Sequence, residues 1–389
     1  MKYAGAGVVV VAGAAAGAYY ATRPSGPTTT ETTETTMPTT EAKKTYKLAM
    51  IVECPRDDMG WGQINKEAVE YTQQYFAAQG IQVETNMAHL IPPPEFEKQG
   101  RVYAEEGYDL IFYPCDGHGP EVGRLAEEYI DKPDVHIYAA STLLEGDLFP
   151  MGTPPEEMVI PKNLAVCDYY AFVCSYYLMG IIAGSMTKTN KIGFLGGVEY
   201  PSIHRRVRAM QQGVLRWDPK IDVSQYQWVG GWIDVAKGKE MATAMHEYGC
   251  DVIMGYADGP FVGAATYAKA VGPPPYMFAA MWPLHKTFPE VIVAENVEYT
   301  APVMIGCMDR IVNNKWDEIG GKWLKLGYSR IDPAVAWTVG DYGTSDVMPM
   351  GPVINPALQD KIPPDAMALM EQVRDEIARG SFKVPEITK

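Results

Sequence analysis

From residue 46 onward, apolar and polar positions follow two periods in turn, and this predicts a repeating strand–helix series. Short apolar runs at 47–53, 82–85, 109–113 and 135–139 have the length of buried strands. Between them, 61–78, 94–106 and 121–130 carry apolar residues at helical spacing. A Pro-rich interruption at 143–162 breaks the series. It restarts with strands at 163–167, 191–195, 225–229, 251–255 and 276–280, separated by helices at 168–186, 202–216, 235–248 and 261–271. A strand at 291–295 and helices at 301–314 and 365–379 follow. Strands alternating with helices mean βαβ units and parallel sheets, so an α/β class with two doubly wound lobes is expected. In such sheets the carboxyl ends of the strands open onto the crevice where ligands bind.

The first 45 residues follow neither period. An uncharged run from Ala4 to Ala21 lies between Lys2 and Arg23. As a helix it would be about 27 Å long, close to a ~30 Å hydrocarbon core. It reads as a membrane anchor (1–23) or as a signal peptide with many small-residue cleavage options. No Cys near its end offers a lipoprotein attachment point. Half of residues 24–41 are Thr, with Pro, Ser and Glu making up most of the rest. Such a segment buries nothing, and 24–45 is expected to be an extended stalk reaching on the order of 55 Å. Anchor, stalk and folded part together place the protein on the extracellular face of a membrane, or secreted if cleaved. That layout is common on archaeal surfaces, so an archaeal source is expected.

Composition narrows the function. The 389 residues are 47% apolar and carry a formal charge of −15, with no Lys/Arg-rich run. That excludes nucleic acid, whose phosphates need a basic face. Six Cys (54, 115, 167, 174, 250, 307) include no Cys-x-x-Cys pair, and the six His are spread singly. Metal ligation is not expected, and buried free thiols are. No nucleophile motif and no dinucleotide-binding glycine pattern occurs; the turn at Gly193, Gly196 and Gly197 has the wrong spacing. No cofactor and no catalysis are expected.

The candidate binding residues lie in the strand-end loops. Asp58, Trp61, Gln63 and Asn65 follow the first strand. An aromatic beside acids and amides suits a planar polar ligand: the ring stacks and the amides read its edge. The alternative is that Asp58 caps the helix and Trp61 packs on the hinge. Asp116 and His118 follow the third strand, Tyr170 follows the fifth, and Trp232 and Asp258 lie in the second series, with Trp282 and Glu298 at later strand ends.

Several of these loops, in this order, resemble the basic membrane protein (Bmp) family of solute-binding proteins. Asp58, Gly60 and Trp61 match its Asp-x-Gly-aromatic turn, with Gly62 where the main pattern has Asn. The stretch from Cys167 to Asp258 is the strongest part, including Tyr177 to Gly180, the run from Trp232 and Asp234 to Glu240, and Asp258 with Pro260. Met350, Gly351 and Pro352 approximate a late Phe-Gly-Pro. The resemblance implies the type I periplasmic-binding-protein fold, two lobes joined by a three-crossover hinge. Lobe one would comprise 46–166 and 283–325, lobe two 167–282 and 326–389, with strand 291–295 returning to the first lobe.

By the same resemblance, the protein would bind a purine nucleoside or nucleobase outside the cell and deliver it to the permease and ATPase subunits of an ABC importer. The base would stack between Trp61 and a second aromatic, Trp232 or Tyr170, with Asp58, Asp116 and Asp258 as hydrogen-bond acceptors. Three departures weaken the ribose clamp: Trp282 replaces an expected Gly-x-Asp turn, Glu298 and Tyr299 stand where a Lys is usual, and Val173 and Cys174 replace glutamates. A surface sensor, a structural surface protein, or a binding protein for a sugar or amino-acid derivative remain alternatives.

Overall fold

The computed structural model describes residues 44–327, 336–338 and 351–389. The anchor and stalk expected at 1–45 lie almost wholly outside these residues, as does Met350. In chain order the elements are β1 (Tyr46–Ile51), α1 (Trp61–Ala77), β2 (Val83–Ala88), α2 (Phe96–Glu105), β3 (Leu110–Tyr113), α3 (Glu121–Glu128), β4 (His136–Ala140) and β5 (Leu164–Asp168). Then come α4 (Tyr170–Met186), β6 (Lys191–Gly196), α5 (Pro201–Trp217), β7 (Asp222–Trp228), α6 (Val235–Tyr248), β8 (Val252–Tyr256), α7 (Asp258–Val271), β9 (Tyr276–Met281) and β10 (Ile292–Val297). The series ends with α8 (Ala301–Val312), β11 (Lys322–Gly327), β12 (Ala336–Thr338), β13 (Val353–Ile354) and α9 (Pro364–Ala378).

Two sheets result. One has the order β12-β11-β5-β4-β3-β1-β2 and the other β13-β10-β9-β8-β6-β7. Only the β10–β13 pairing is antiparallel among the described strands. Their central strands are covered on both faces, which is why they read as continuous apolar runs. Leu48, Met50, Phe112 and Tyr138 are fully buried in the first sheet's core, with the Phe112 and Tyr138 rings stacked at 4.1 Å.

The chain crosses between sheets three times: from β5 to α4, from β10 to α8, and between β12 and β13. This is the expected three-crossover plan, but the second crossing falls later than the sequence suggests. The strand expected to return to the first lobe is β10, which pairs with β9 in the second sheet. Its first five residues are buried on both faces, and β13 covers its other edge. The return comes with α8, which packs on α1 and β3. Residues 326–389 likewise do not all belong to the second lobe, because β11 runs to Gly327 beside β5 and β12 extends that sheet.

Local signals explain the helices that position the cleft. Along α1, buried Ile64, Ala68, Val69, Thr72 and Phe76 form one inward stripe. The Asp234 carboxylate accepts the Lys237 N–H at 2.9 Å to start α6, and Gly249, at φ 105°, ends it. Every residue of α4 is buried, which fits a helix that is apolar all round. It packs closely on α5 where Gly180 meets Gly213: a Cβ on Gly213 would fall 2.0 Å from the Tyr177 carbonyl oxygen. No helix among the described residues is long and apolar enough to cross a membrane. All six cysteines are buried and free.

Candidate functional site

The carboxyl ends of both sheets face one narrow cavity of about 30 Å3. The first lobe lines it with Glu53 and Cys54 after β1, Trp61 at the start of α1, and Cys115 and Asp116 after β3. The second contributes Tyr200, Ser202 and Arg206 before and along α5, Trp232 after β7, Tyr256 at the end of β8, and Asp258 opening α7. Four of these are aromatic and three are carboxylates.

Direct bonds draw the lobes together around it. The Trp61 backbone N–H donates to Asp258 Oδ1 at 2.9 Å, and the Arg206 Nη1 donates to Asp116 Oδ2 at 3.3 Å. Near the rim, the Trp282 indole N–H donates to Glu67 Oε1 at 3.0 Å. At the second crossing, the Thr300 hydroxyl donates to Asn65 Oδ1 at 2.6 Å and the Tyr299 hydroxyl to the Glu67 carbonyl at 3.3 Å. At the first, Asp168 holds Arg205 through two bonds of 2.6 and 3.1 Å.

Arg206 organises the charge. It is buried against the Tyr256 ring, and its Nε donates to Glu298 at 3.2 Å. Tyr256 donates its hydroxyl to the other Glu298 oxygen at 2.9 Å. Burial raises the Glu298 pKa, and the Arg206 charge opposes that rise. Burial also raises Asp258 well above the carboxylate range, with the Asp58 charge adding to the effect. Glu53 is pushed up to about 7 by burial, only partly offset by the approach of the Trp232 indole.

The candidates from the sequence divide into two groups. Trp61, Asp116, Trp232 and Asp258 line the cavity. Asp58 is a helix cap, accepting the N–H groups of Gly60, Gly62 and Gln63 at 2.8, 3.1 and 3.0 Å. Gln63 bonds within the same turn and to Glu67. Asn65 is fully buried and ties Trp61 to Thr300. His118 is buried between the carbonyls of Ala140 and Gly119. Tyr170 faces away from the cleft: its hydroxyl donates to the Val384 carbonyl, and the Lys325 ammonium sits over its ring. Trp282 and Glu298 support the wall from behind rather than lining it.

Glu53, Tyr200, Ser202, Arg206 and Tyr256 were not singled out from the sequence. A signal for Arg206 does exist, since it shares the buried face of α5 with Ser202, Met210 and Gly213, where an Arg requires a partner. Among the described residues, Cys54, Asp58 and Asp258 form the group compact enough to hold a metal ion, with ligand atoms within 4.8 Å of one another. The Asp58 oxygens are taken by backbone N–H groups and Asp258 Oδ1 by Trp61, so the arrangement serves the helix start.

Two doubly wound lobes closing on a strand-end cavity define a solute-binding protein of the type I periplasmic-binding fold. The model of the Bmp family, ABC transporter substrate-binding protein PnrA-like, matches residues 45–279, and the chain belongs to that family. A purine-binding protein of Brucella abortus is 23% identical over 75% of this chain and 76% of its own length. An ABC transporter nucleoside-binding protein, BmpA, of Lactococcus lactis is 40% identical over 25% of the chain, and a candidate ABC transporter glucose-binding protein of Haloferax volcanii is 25% identical over 56%. The chain spans 27% and 49% of the length of these last two. Among solved structures, an ABC transporter solute-binding protein from Aeropyrum pernix superposes with a TM-score of 0.67 at 16% identity, covering 88% of this chain and 94% of that one. One from Conexibacter woesei superposes at 0.62 and 20% identity, covering 88% and 99%. At such identities these two matches show the fold.

Proposed function

We propose that the lobes close on a purine-like heterocycle, as nucleoside or free base, and deliver it to the permease and ATPase subunits of an ABC importer. The observation that carries this reading is the cavity lining: indole and phenol rings from both lobes, interleaved with carboxylates. Aromatic faces favour a flat π-system, and buried carboxylates favour a ligand that brings N–H or O–H donors. The purine-binding and nucleoside-binding relatives support the same ligand class. Ligand binding would draw the two lobes into the closed arrangement by its greater affinity for it. The protein would act outside the cell, held at the membrane by the apolar run near its N-terminus.

Titration calorimetry against purine nucleosides, nucleobases, glucose and amino acids tests this. A purine is expected to bind and to raise the melting temperature. If glucose alone bound, the Haloferax relative would be the better guide and the purine reading would fall. Trp61→Ala, which removes one stacking wall, is expected to weaken purine binding by about tenfold. An unchanged dissociation constant would remove Trp61 from the site.

A further inference from the structure

At the start of α5 the second lobe presents hydrogen-bond donors to the cavity. Ser202 and Arg206 both line it, and as residues four apart on one helix they share a face. Arg206 gives Nε to Glu298 and Nη1 to Asp116, which uses two of the five N–H groups of a guanidinium. Ser202 differs. Its hydroxyl is a buried atom with no hydrogen-bond partner among the described residues, and the residue is 1% exposed.

A buried hydroxyl that has lost water and found no partner is destabilising, so a serine held at a cavity wall points to a group that arrives with the ligand. Its surroundings decide how it bonds. Tyr200, the residue before α5, gives that helix no side-chain cap, and Pro201 has no N–H. The Ile203 and His204 N–H groups both return to the Tyr200 carbonyl at 3.0 Å. The positive end of this 17-residue helix and the Arg206 charge therefore act on Ser202 together. Both attract the hydroxyl's lone pairs and leave its proton for the cavity, so what this corner lacks is an acceptor. An anion does not suit it. Glu53, Asp116 and Asp258 line the same cavity, and a charged acceptor would face three carboxylates against one guanidinium. A neutral carbonyl oxygen meets both conditions.

We propose that the Ser202 hydroxyl and the Arg206 guanidinium form a donor pair for a carbonyl oxygen of the ligand, and that this pair selects 6-oxopurines over 6-aminopurines. Guanine and hypoxanthine carry an oxygen at position 6 beside the N7 acceptor, a pair of acceptors for a pair of donors. Adenine carries an amino group at that position, and its N–H would face the two donors. This rests on the reading of the cleft as a purine site and adds which purines it takes and which residues decide.

The test is calorimetry with inosine, guanosine and adenosine on the full chain and on Ser202→Ala, together with the melting temperature of each protein without ligand. The unmodified protein is expected to bind inosine and guanosine about tenfold tighter than adenosine, the scale of one hydrogen bond. Ser202→Ala should weaken inosine and guanosine by about fivefold and adenosine less, so that the ratio falls. The same change removes an unsatisfied polar group from the ligand-free protein, so its melting temperature should hold or rise. A serine kept for the fold would give the reverse, a lower melting temperature with the nucleoside ratio intact, and that result would overturn the donor pair. Adenosine bound as tightly as inosine by the unmodified protein would also overturn it and leave the purine site standing. Binding of none of the three, with glucose bound instead, would remove the purine site itself and the donor pair with it.

Discussion

Replacing Arg206 by Met is expected to destabilise the folded protein by about 3–5 kcal/mol, the cost of breaking a buried ion pair from one side. The Arg206 side chain is 3% exposed and that of its partner Glu298 is 0% exposed. Met fills much of the same space, so the loss is electrostatic: Glu298 keeps the Tyr256 hydroxyl but no cation. The fork cannot be rebuilt with Lys, which lacks the planar Nε and Nη geometry that reaches Glu298 and Asp116 together.

The deficit should depend on pH with a definite sign. Burial raises the Glu298 pKa and Arg206 lowers it, so without Arg206 the folded-state value rises further above the unfolded one. Protonated Glu298 then favours the fold in acid, and that contribution is lost as pH rises through the folded-state value. Urea unfolding should therefore show a larger gap between Arg206→Met and the unmodified protein at pH 8 than at pH 5. Adding Glu298→Gln to the variant should recover a large share of the loss. A single variant within about 0.5 kcal/mol of the unmodified protein, the range of ordinary surface changes, would show that the pair does not anchor the cleft.

How much of this was legible in the sequence follows from what each signal measures. Apolar periodicity reports burial, so the strands from 46 to 297 and the helices between them fall within a few residues of their expected bounds. It does not report which sheet a strand joins. β10 is as apolar as a strand of either lobe, and only its pairing with β9 assigns it to the second. The strands β12 and β13 were missed because they are short, and β11, with the sequence Lys-Trp-Leu-Lys-Leu-Gly, because it mixes charged and apolar positions at an outer part of the sheet.

The site shows the same division. Trp232 and Asp258 were found because they lie in a loop and at a helix start that follow strands, where polar and aromatic residues stand out. Asp58 lies in an equally suggestive loop and Asn65 in the first turns of α1, but their side chains satisfy backbone groups and a hinge threonine. Residue type and loop position cannot separate a cap from a ligand contact, because both need the same short polar side chains. Glu53 and Arg206 were overlooked for the opposite reason: one ends an apolar run and the other rides on a helix, and only the folded cleft brings them to one wall.

Gly60→Ala is expected to hold the lobes apart without unfolding either. Gly60 precedes α1 in the first lobe with φ −147° and ψ −137°, outside the strand and helix regions that side chains favour. Space demands glycine as well. A Cβ there would fall 2.1 Å from Asp258 Oδ1 and 2.7 Å from Asp258 Cβ. Asp258 comes from the other lobe and is fixed by the Trp61 N–H, so rotating its carboxylate away would break the bond that joins the lobes. Moving a lobe relieves the clash at once, which confines the steric penalty to the closed arrangement. Overpacking of this kind costs about 2–3 kcal/mol, which corresponds to about 30- to 150-fold in the affinity for a purine that needs closure. Urea stability in the absence of ligand should fall by less than in Arg206→Met, because no buried ion pair is broken. Small-angle scattering at saturating guanosine should show a larger radius of gyration for Gly60→Ala than for the parent. Unchanged affinity together with an unchanged radius would mean that the Trp61–Asp258 contact is not part of the bound state.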